Sequence, residues 1–378
     1  MDIPNMLKSL MQYGPAFLNS YCIVNGEILK LEDVEKMGCD EFSVRSKINM
    51  PTHLYRYFPD IETRDKETGE FVNYSIQGLK NNTVFLQSPT EFDDVYDSDI
   101  SISYDEYEHL RLIEYCRRCG IETEDLKDTQ SIGNLLVKKL YEYFAENKSL
   151  EDAFVVSESE EENLANKLFA LRIENYIVKK SEFGAAVKTA LFDEYNEYTS
   201  ELKKTFRTVC FTTTPYSQLM WGGMYANCHK GFCVEYSVMP NDQKYNDVFN
   251  NLYPVIYCKT RPNMAKRLVG MKDKPPTTET LWDLYSHGVL RKSIDWAFQN
   301  EWRFVLPRNY YNGNYNVEFF PISKVYLGNR MSPERRKEII SICHEKNIPY
   351  TGVTRNPEVF EMQDCDVLCE NCPNYKKS

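Results

Sequence analysis

The chain has 378 residues, 42% of them hydrophobic and 27% charged, with a formal net charge of -11. That length can bury a large core as one big domain, or as a domain carrying a helical insert, and no uninterrupted apolar run approaches the ~20 residues of a membrane span. The acidic balance argues against a general nucleic-acid binder, which would present a basic face to displace counterions from phosphate. Met1-Asp2-Ile3-Pro4 has no basic stretch leading into an apolar one, so a cytoplasmic location is expected.

Residues 1–50 read as small helices and turns, an N-terminal extension to a mixed α+β domain over 51–355. His53–Phe58 and Thr83–Gln87 read as strands, and a polar acidic loop follows them. From 124 to 206 lies a proline-free helical insert in which Ile132, Leu135, Leu136, Leu140, Tyr143 and Phe144 recur at helical spacing, with further helices over 150–181 and 183–206. Strand character returns at Thr208–Thr212, gives way to a helix or turn around Ser217–Ala226, and resumes at Gly231–Tyr236 and Leu252–Cys258. A long amphipathic helix over 279–299 is expected to deliver a strand at Glu301–Leu306. The last unit is punctuated: strand Lys324–Leu327, Gly328, Ser332 as N-cap with Pro333 at the first helical position, a helix to Lys346, and a strand near Ile348–Tyr350. That crossover implies one parallel pair. The other strands lack regular intervening helices, so the predicted fold class is α+β, a mixed sheet core with a large helical insertion.

Twelve cysteines in such a chain suggest reduced thiols or metal ligands rather than disulfides. Cys116-x2-Cys119 sits in a helical stretch, while Cys365-x3-Cys369-x2-Cys372 lies in a Cys-rich tail over 356–378. The second spacing matches the iron-sulfur triad of radical S-adenosylmethionine enzymes, which place it ahead of a long fold; here only Pro373–Ser378 follow, so that chemistry is not expected. The two remaining readings are a structural zinc held by Cys365, Cys369, Cys372 and one more thiol, and a tail docked on the surface. Lys259, Arg261, Lys266, Arg267, Lys272 and Lys274 form a basic loop, either solvated or facing an anionic ligand. Asp93, Asp94, Asp97 and Asp99 lack the glycine and terminal glutamate of a helix-loop-helix calcium site. No Gly-rich phosphate loop is present, which argues against a kinase or ATP-driven motor.

Three segments, in chain order, carry residues suited to a nucleotide or dinucleotide ligand. Leu54-Tyr55-Arg56-Tyr57 is a strand with one arginine, Phe211-Thr212-Thr213-Thr214 ends an aromatic strand in a hydroxyl run, and Gln299-Asn300-Glu301 opens an apolar strand. An arginine fork suits phosphate oxygens. Gln299 and Glu301 would share a strand face, and Trp221 and Tyr225, four apart on a short helix, would cover an aromatic ring. Each has a plainer alternative. Arg56 pairs with a carboxylate, Thr212 and Thr214 fill β positions, Glu301 forms a cross-strand pair with Arg303, and Trp221 and Tyr225 belong to the core. His229-Lys230 before Gly231 reads as a turn rather than a catalytic base.

The chain resembles the bacterial family of domain of unknown function 2971 over roughly residues 53–355. The resemblance rests on Leu54-Tyr55-Arg56-Tyr57, Thr83-Val84-Phe85, Ser88 to Asp94, Val209 to Thr212, Leu219 to Gly231, Trp296 to Arg303 and Val325 to Gly328. In that family the acidic segment usually reads Phe-Asn-Asp-Pro-Phe-Asp, so Asp93, Val95 and Tyr96 depart from it, and Gln299 replaces the first member of a Glu-x-Glu pair. The order Arg56, Thr212–Thr214, Gln299-x-Glu301 is also similar to that of ADP-ribosyltransferase-like enzymes. That similarity implies NAD as substrate, with Arg56 on its phosphates, Thr212 and Thr214 bracing the nicotinamide ribose, Gln299 orienting an acceptor, and Glu301 stabilising a sugar cation as nicotinamide leaves. It implies an ADP-ribosyltransferase or NAD glycohydrolase acting on a macromolecular acceptor or water, as a toxin or antiviral (phage defence) effector. The alternatives are a noncatalytic nucleotide-sensing or protein-interaction module and, third, a metal-dependent nuclease using the acidic loop.

Overall fold

The computed structural model describes residues 19–65, 68–177, 182–274 and 277–365. The fold is α+β, and the chain divides into two compact units. One comprises Met1–Asp97, Phe206–Lys259 and Leu290–Ser378; the other comprises Ser98–Thr205 and Thr260–Val289. Every strand among the described residues lies in the first. The helical unit therefore begins at Ser98, ahead of the insert expected over 124–206, and takes in a second stretch of chain.

In chain order the first segment supplies β1 (Tyr21–Val24), β2 (Glu27–Lys30), β3 (His53–Phe58), β4 (Thr63–Arg64), β5 (Phe71–Val72) and β6 (Thr83–Phe85). The second adds β7 (Phe206–Phe211), β8 (Phe232–Ser237), β9 (Leu252–Pro254) and β10 (Ile256–Cys258). The third adds β11 (Arg291–Ser293), β12 (Trp302–Pro307), β13 (Asn316–Glu318), β14 (Ile322–Leu327), β15 (Tyr350–Arg355) and β16 (Met362–Asp364). They assemble as a five-stranded sheet in the order β16-β15-β14-β8-β3, a three-stranded sheet β7-β12-β9, a four-stranded sheet β11-β10-β1-β2, and two-stranded pairs β13-β6 and β4-β5.

The punctuated C-terminal unit forms as its residues dictate. The Ser332 side chain accepts from the Arg335 N–H and Pro333 takes the first helical position, which satisfies one orphan donor and needs none from proline. The helix Pro333–Glu345 then carries the chain from β14 to β15, which pair in parallel. Residues 19–50, read from the sequence as helices and turns, also hold the antiparallel hairpin β1-β2, turned at Asn25 and Gly26 with positive φ.

The helix expected over 279–299 is broken into Thr278–Leu284, a π-helical turn Tyr285–Val289, strand β11 and a 3₁₀ helix Ile294–Gln299. The physical reason is strand capture. Arg291, Lys292 and Ser293 pair in parallel with Ile256, Tyr257 and Cys258, and ladder bonds over those residues exclude helical ones.

Inside the helical unit three cations of the basic loop pair closely with local carboxylates. Arg267 pairs with Asp283 at 2.7 Å, Arg261 with Asp99, and Lys272 with Asp273 at 3.1 Å and Glu194 at 3.3 Å. Buried Arg111 and Arg118 hold the same Asp273 at 2.8 and 3.1 Å, so this loop closes an internal network.

Candidate functional site

Strand alternation builds the floor of the site. On β7, Val209 and Phe211 enter the main hydrophobic core, so Thr208, Cys210 and Thr212 take the other face. β12 runs antiparallel beside it with Arg303 opposite Cys210, which puts Arg303 and Glu301 on the face of those threonines. β3 reaches the same place through an antiparallel bridge between Tyr55 and Thr212, and Arg56 Nη1 donates to the Cys210 carbonyl at 3.3 Å.

Beside that floor lies a buried four-charge cluster. Arg303 grips Asp97 through both terminal nitrogens at 2.8 Å and Glu301 through Nε at 2.7 Å. Lys292 Nζ donates to Asp97 at 2.9 Å, Glu301 at 3.0 Å and the Gln299 side-chain Oε1 at 2.8 Å. Two carboxylates face two cations, and all four residues are buried. Burial alone would raise the Glu301 and Asp97 pKa values, but Arg303 and Lys292 outweigh it and hold both carboxyls below their ordinary range. Burial likewise opposes the charge on Lys292, and Glu301 with Asp97 reverses the effect and raises its pKa.

The expected geometry of Gln299 needs correction. Gln299 ends the 3₁₀ helix, Asn300 turns the chain with φ 44° and ψ 54°, and Glu301 precedes β12, so the two do not share a strand face. They meet through Lys292 instead. Gln299 also donates from its amide nitrogen to the Tyr225 hydroxyl, and the Glu301 backbone N–H donates to Tyr257 Oη at 2.9 Å. Glu301, just ahead of β12, and Arg303 within it form an i, i+2 pair along the chain, not the expected cross-strand one.

Arg56, Thr212, Tyr225, Gln299 and Glu301 all line one cavity of about 760 Å³, together with Thr208, Cys210, Lys292 and the loop Glu91–Asp97. That volume falls within the roughly 300–1,000 Å³ of small-molecule sites. Arg56 has no carboxylate within ion-pair distance among the described residues; burial lowers its pKa, and the more distant charge of Glu301 only partly offsets this. The hydroxyls of Thr208 and Thr212 are buried without a hydrogen-bond partner. A guanidinium without a carboxylate partner and two orphaned hydroxyls therefore flank the Cys210 backbone.

Two expected residues stand elsewhere. Trp221 is fully buried, its ring 5.2 Å edge-on from Tyr57 and its indole N–H donating to the Pro215 carbonyl at 2.7 Å; the helix Gln218–Gly222 ends before Tyr225, so the two rings do not form one platform. Thr214 does not line the cavity: its hydroxyl accepts from the Tyr216 N–H at 3.1 Å and its carbonyl from Tyr57 Oη at 3.1 Å, a turn-forming role. Cys365 is a free thiol, and Cys369 and Cys372 lie outside the described residues. Among the described residues no three His, Cys, Asp or Glu side chains are disposed to hold a metal ion. Asp97, of the acidic loop, is committed to Arg303 and Lys292.

Residues 220–304 match the family described as Protein of unknown function (DUF2971). No curated protein and no solved structure matches the chain. The matched segment contains Tyr225, Lys292, Gln299, Glu301 and Arg303, whereas Arg56, Asp97, Thr208 and Thr212 precede it. Lys292 and Thr208 were not among the site residues expected from the sequence, and Asp97 was weighed there only as part of the acidic loop. Lys292 sits inside a stretch that reads as helix, and Thr208 is one β-former among several; only the i, i+2 spacing of Glu301 and Arg303 hinted at a charge cluster.

Within the matched segment the chain before β8 is under backbone strain. Asn227, Cys228 and His229 have φ of 46°, 53° and 67°, three successive non-glycine residues in the left-handed region. The Gly231 position explains the need. A Cβ there would lie 2.0 Å from the Phe58 carbonyl oxygen, so the loop must bring bare backbone against the end of β3.

Proposed function

We propose that the cavity takes a pyridine dinucleotide and that the protein is an NAD-consuming ADP-ribosyltransferase or NAD glycohydrolase. The observation that carries this reading is the convergence of Arg56, Thr212 and Glu301, from three distant parts of the chain, on one cavity. Arg56 has a planar fork and no carboxylate partner, the state of an arginine ready for phosphate oxygens. Glu301, held ionised by its neighbours, supplies negative charge beside the ribose. As the C1′–N bond breaks, its electron pair leaves with nicotinamide and neutralises the pyridinium. The sugar cation that remains is stabilised by the carboxylate until water or an acceptor side chain donates a lone pair to C1′ and releases its proton to solvent. Gln299 and Tyr225, hydrogen-bonded to each other, would orient that nucleophile.

One observation favours a second reading. Glu301 already accepts from Arg303 on one oxygen and Lys292 on the other, so its charge is largely answered by protein cations. A noncatalytic nucleotide-sensing module would keep such a carboxylate as framework.

Incubation of the purified full chain with NAD, followed by chromatography for free nicotinamide, separates the two. The enzyme reading expects nicotinamide release that is lost in Glu301→Gln and reduced in Thr212→Val, a variant that leaves the charge cluster intact. Binding of NAD in calorimetry without turnover, abolished by Arg56→Gln, supports the sensing module.

A further inference from the structure

The edge of β7 that faces away from β12 is incomplete at one residue. Successive residues of a strand aim their backbone groups at opposite edges, so Arg207, Val209 and Phe211 serve β12 while Thr208, Cys210 and Thr212 serve the other side. On that side Thr208 exchanges both backbone bonds with Gln87, at 2.9 Å each way. Thr212 exchanges both with Tyr55, at 2.8 and 2.9 Å. Cys210, midway between them, pairs with neither segment. Its carbonyl accepts from Arg56 Nη1 at 3.3 Å, and among the described residues its N–H meets no acceptor. The two bridges stand four residues apart, roughly 13 Å along a strand. Tyr55, Arg56, Gln87 and Cys210 all line the cavity, so this gap is part of its wall.

We propose that the gap at Cys210 seats one phosphate group of the ligand, with the Cys210 N–H and the Arg56 guanidinium as its donors. A bare strand edge offers one donor and one acceptor per residue, which suits another amide. Here Arg56 covers the acceptor and leaves the donor, so the position presents N–H groups alone and fits a group that only accepts. Four of the five N–H donors of that guanidinium have no protein partner among the described residues. A guanidinium beside a backbone N–H favours an oxyanion over a neutral carbonyl, because hydrogen bonds between charged groups are the stronger ones. The same strand carries two further unanswered polar groups, the buried hydroxyls of Thr208 and Thr212 on either side of Cys210. The Cys210 thiol adds no charge, since burial raises its pKa and keeps it protonated. The proposal deepens the dinucleotide reading at its phosphate end and rests on that reading for the identity of the oxyanion. It adds a main-chain donor, which no pattern of side chains reveals.

Inorganic pyrophosphate, titrated into the full chain labelled with 15N-cysteine, tests this directly. Of the twelve cysteine amides, the resonance that is missing from Cys210→Ala belongs to Cys210. It should move downfield and saturate as pyrophosphate is added, and in Arg56→Gln the same movement should need roughly tenfold more pyrophosphate. Cys210→Pro removes the N–H at a position where no ladder bond depends on it. By calorimetry it should weaken pyrophosphate binding roughly tenfold more than Cys210→Ala does. If the proline variant does not fold, the resonance decides alone. Pyrophosphate that fails to bind, that binds with the Cys210 amide unmoved, or that is outmatched at this amide by acetate overturns the proposal. Titration with NAD keeps the two readings apart. NAD that binds without moving the Cys210 amide overturns the phosphate seat and leaves the dinucleotide reading in place. An amide moved by pyrophosphate in a chain that neither binds nor consumes NAD keeps the seat and removes that reading.

Discussion

Asp97 and Glu301, more than two hundred positions apart in the chain, hold the same two cations: each accepts from Arg303 and each accepts from Lys292. Neither carboxylate touches solvent appreciably, so every charge in the cluster depends on the other three. Removing one member leaves its partners charged and desolvated, a costlier condition than the absence of the whole cluster.

Glu301→Gln and Asp97→Asn should each therefore lower unfolding free energy by about 3–5 kcal/mol, the cost of breaking a buried ion pair. The double variant should cost less than the sum of the two, since they share partners. Urea unfolding of the four proteins of this cycle measures both effects. Strict additivity would mean that the two carboxylates act separately.

The same cluster sets an acid limit. Glu301 and Asp97 have folded pKa values below their ordinary values of 4.5 and 3.8. Groups depressed in this way contribute stability that is complete above the unfolded pKa and is lost as pH falls through the folded one. Stability should thus be flat with respect to these groups above pH 5 and decline steeply below pH 4. Chemical denaturation from pH 3 to 6 should show a shallower acid limb in Glu301→Gln than in the parent. An identical limb in both would assign the decline to other carboxylates.

Lys47 makes a prediction of the same sign at the other end of the scale. Burial brings its pKa from 10.5 down to about 7, and its ammonium donates to the Phe249 and Leu252 carbonyls without a carboxylate partner. Between those two values the unfolded chain holds a proton that the folded chain has released, so stability rises with pH across that window. Lys47→Met should flatten the rise between pH 7 and 10, as read from urea midpoints. A rise of unchanged slope in the variant would place its origin elsewhere.

Thr208→Val and Thr212→Val should separate stability from binding. Each removes a buried hydroxyl that has no partner in the protein, so the free chain should be unchanged or up to about 1 kcal/mol more stable. If the hydroxyls serve a ligand, the same substitutions should weaken NAD binding by roughly tenfold. Thermal melts with and without NAD read both quantities on one sample. Loss of stability with unchanged ligand shift would make the threonines framework only.

Gly231→Ala should be among the most damaging single-methyl additions in the chain. Its Cβ would meet the Phe58 carbonyl oxygen at 2.0 Å and the Ala226 carbonyl oxygen at 3.1 Å, both backbone atoms that cannot swing aside. A cost of about 3 kcal/mol follows from overpacking of this kind. Gly120→Ala, with nothing within 4 Å of its added carbon, strains only its own φ of 68° and serves as the control.

Some of this protein was legible from its residues taken in order. Aromatic and apolar runs marked the strands around Arg56 and from Trp302 onward, and helical spacing marked the buried stripe Ile132, Leu136 and Leu140. Ser332 and Pro333 located a helix start that holds to the residue. These signals are local, because side-chain periodicity and capping depend on neighbours within a turn or a few strand positions. They also sufficed to bring Arg56, Thr212 and Glu301 forward as candidates.

Only tertiary structure decided what those candidates meet. The Tyr55–Thr212 bridge and the register of β7 on β12 bring Arg56, the threonines and Glu301 to one wall, and no local pattern encodes that register. Pairing of Lys292 with Tyr257 across β10 and β11 overrode a helical reading of 279–299 and turned an unremarked lysine into the hub of the charge cluster. Trp221 went the other way, from proposed ligand platform to core, once Tyr57 was packed edge-on against it. The division has one physical reason: a residue's own sequence neighbours determine which way its side chain points, while long-range strand pairing determines what lies there when it arrives.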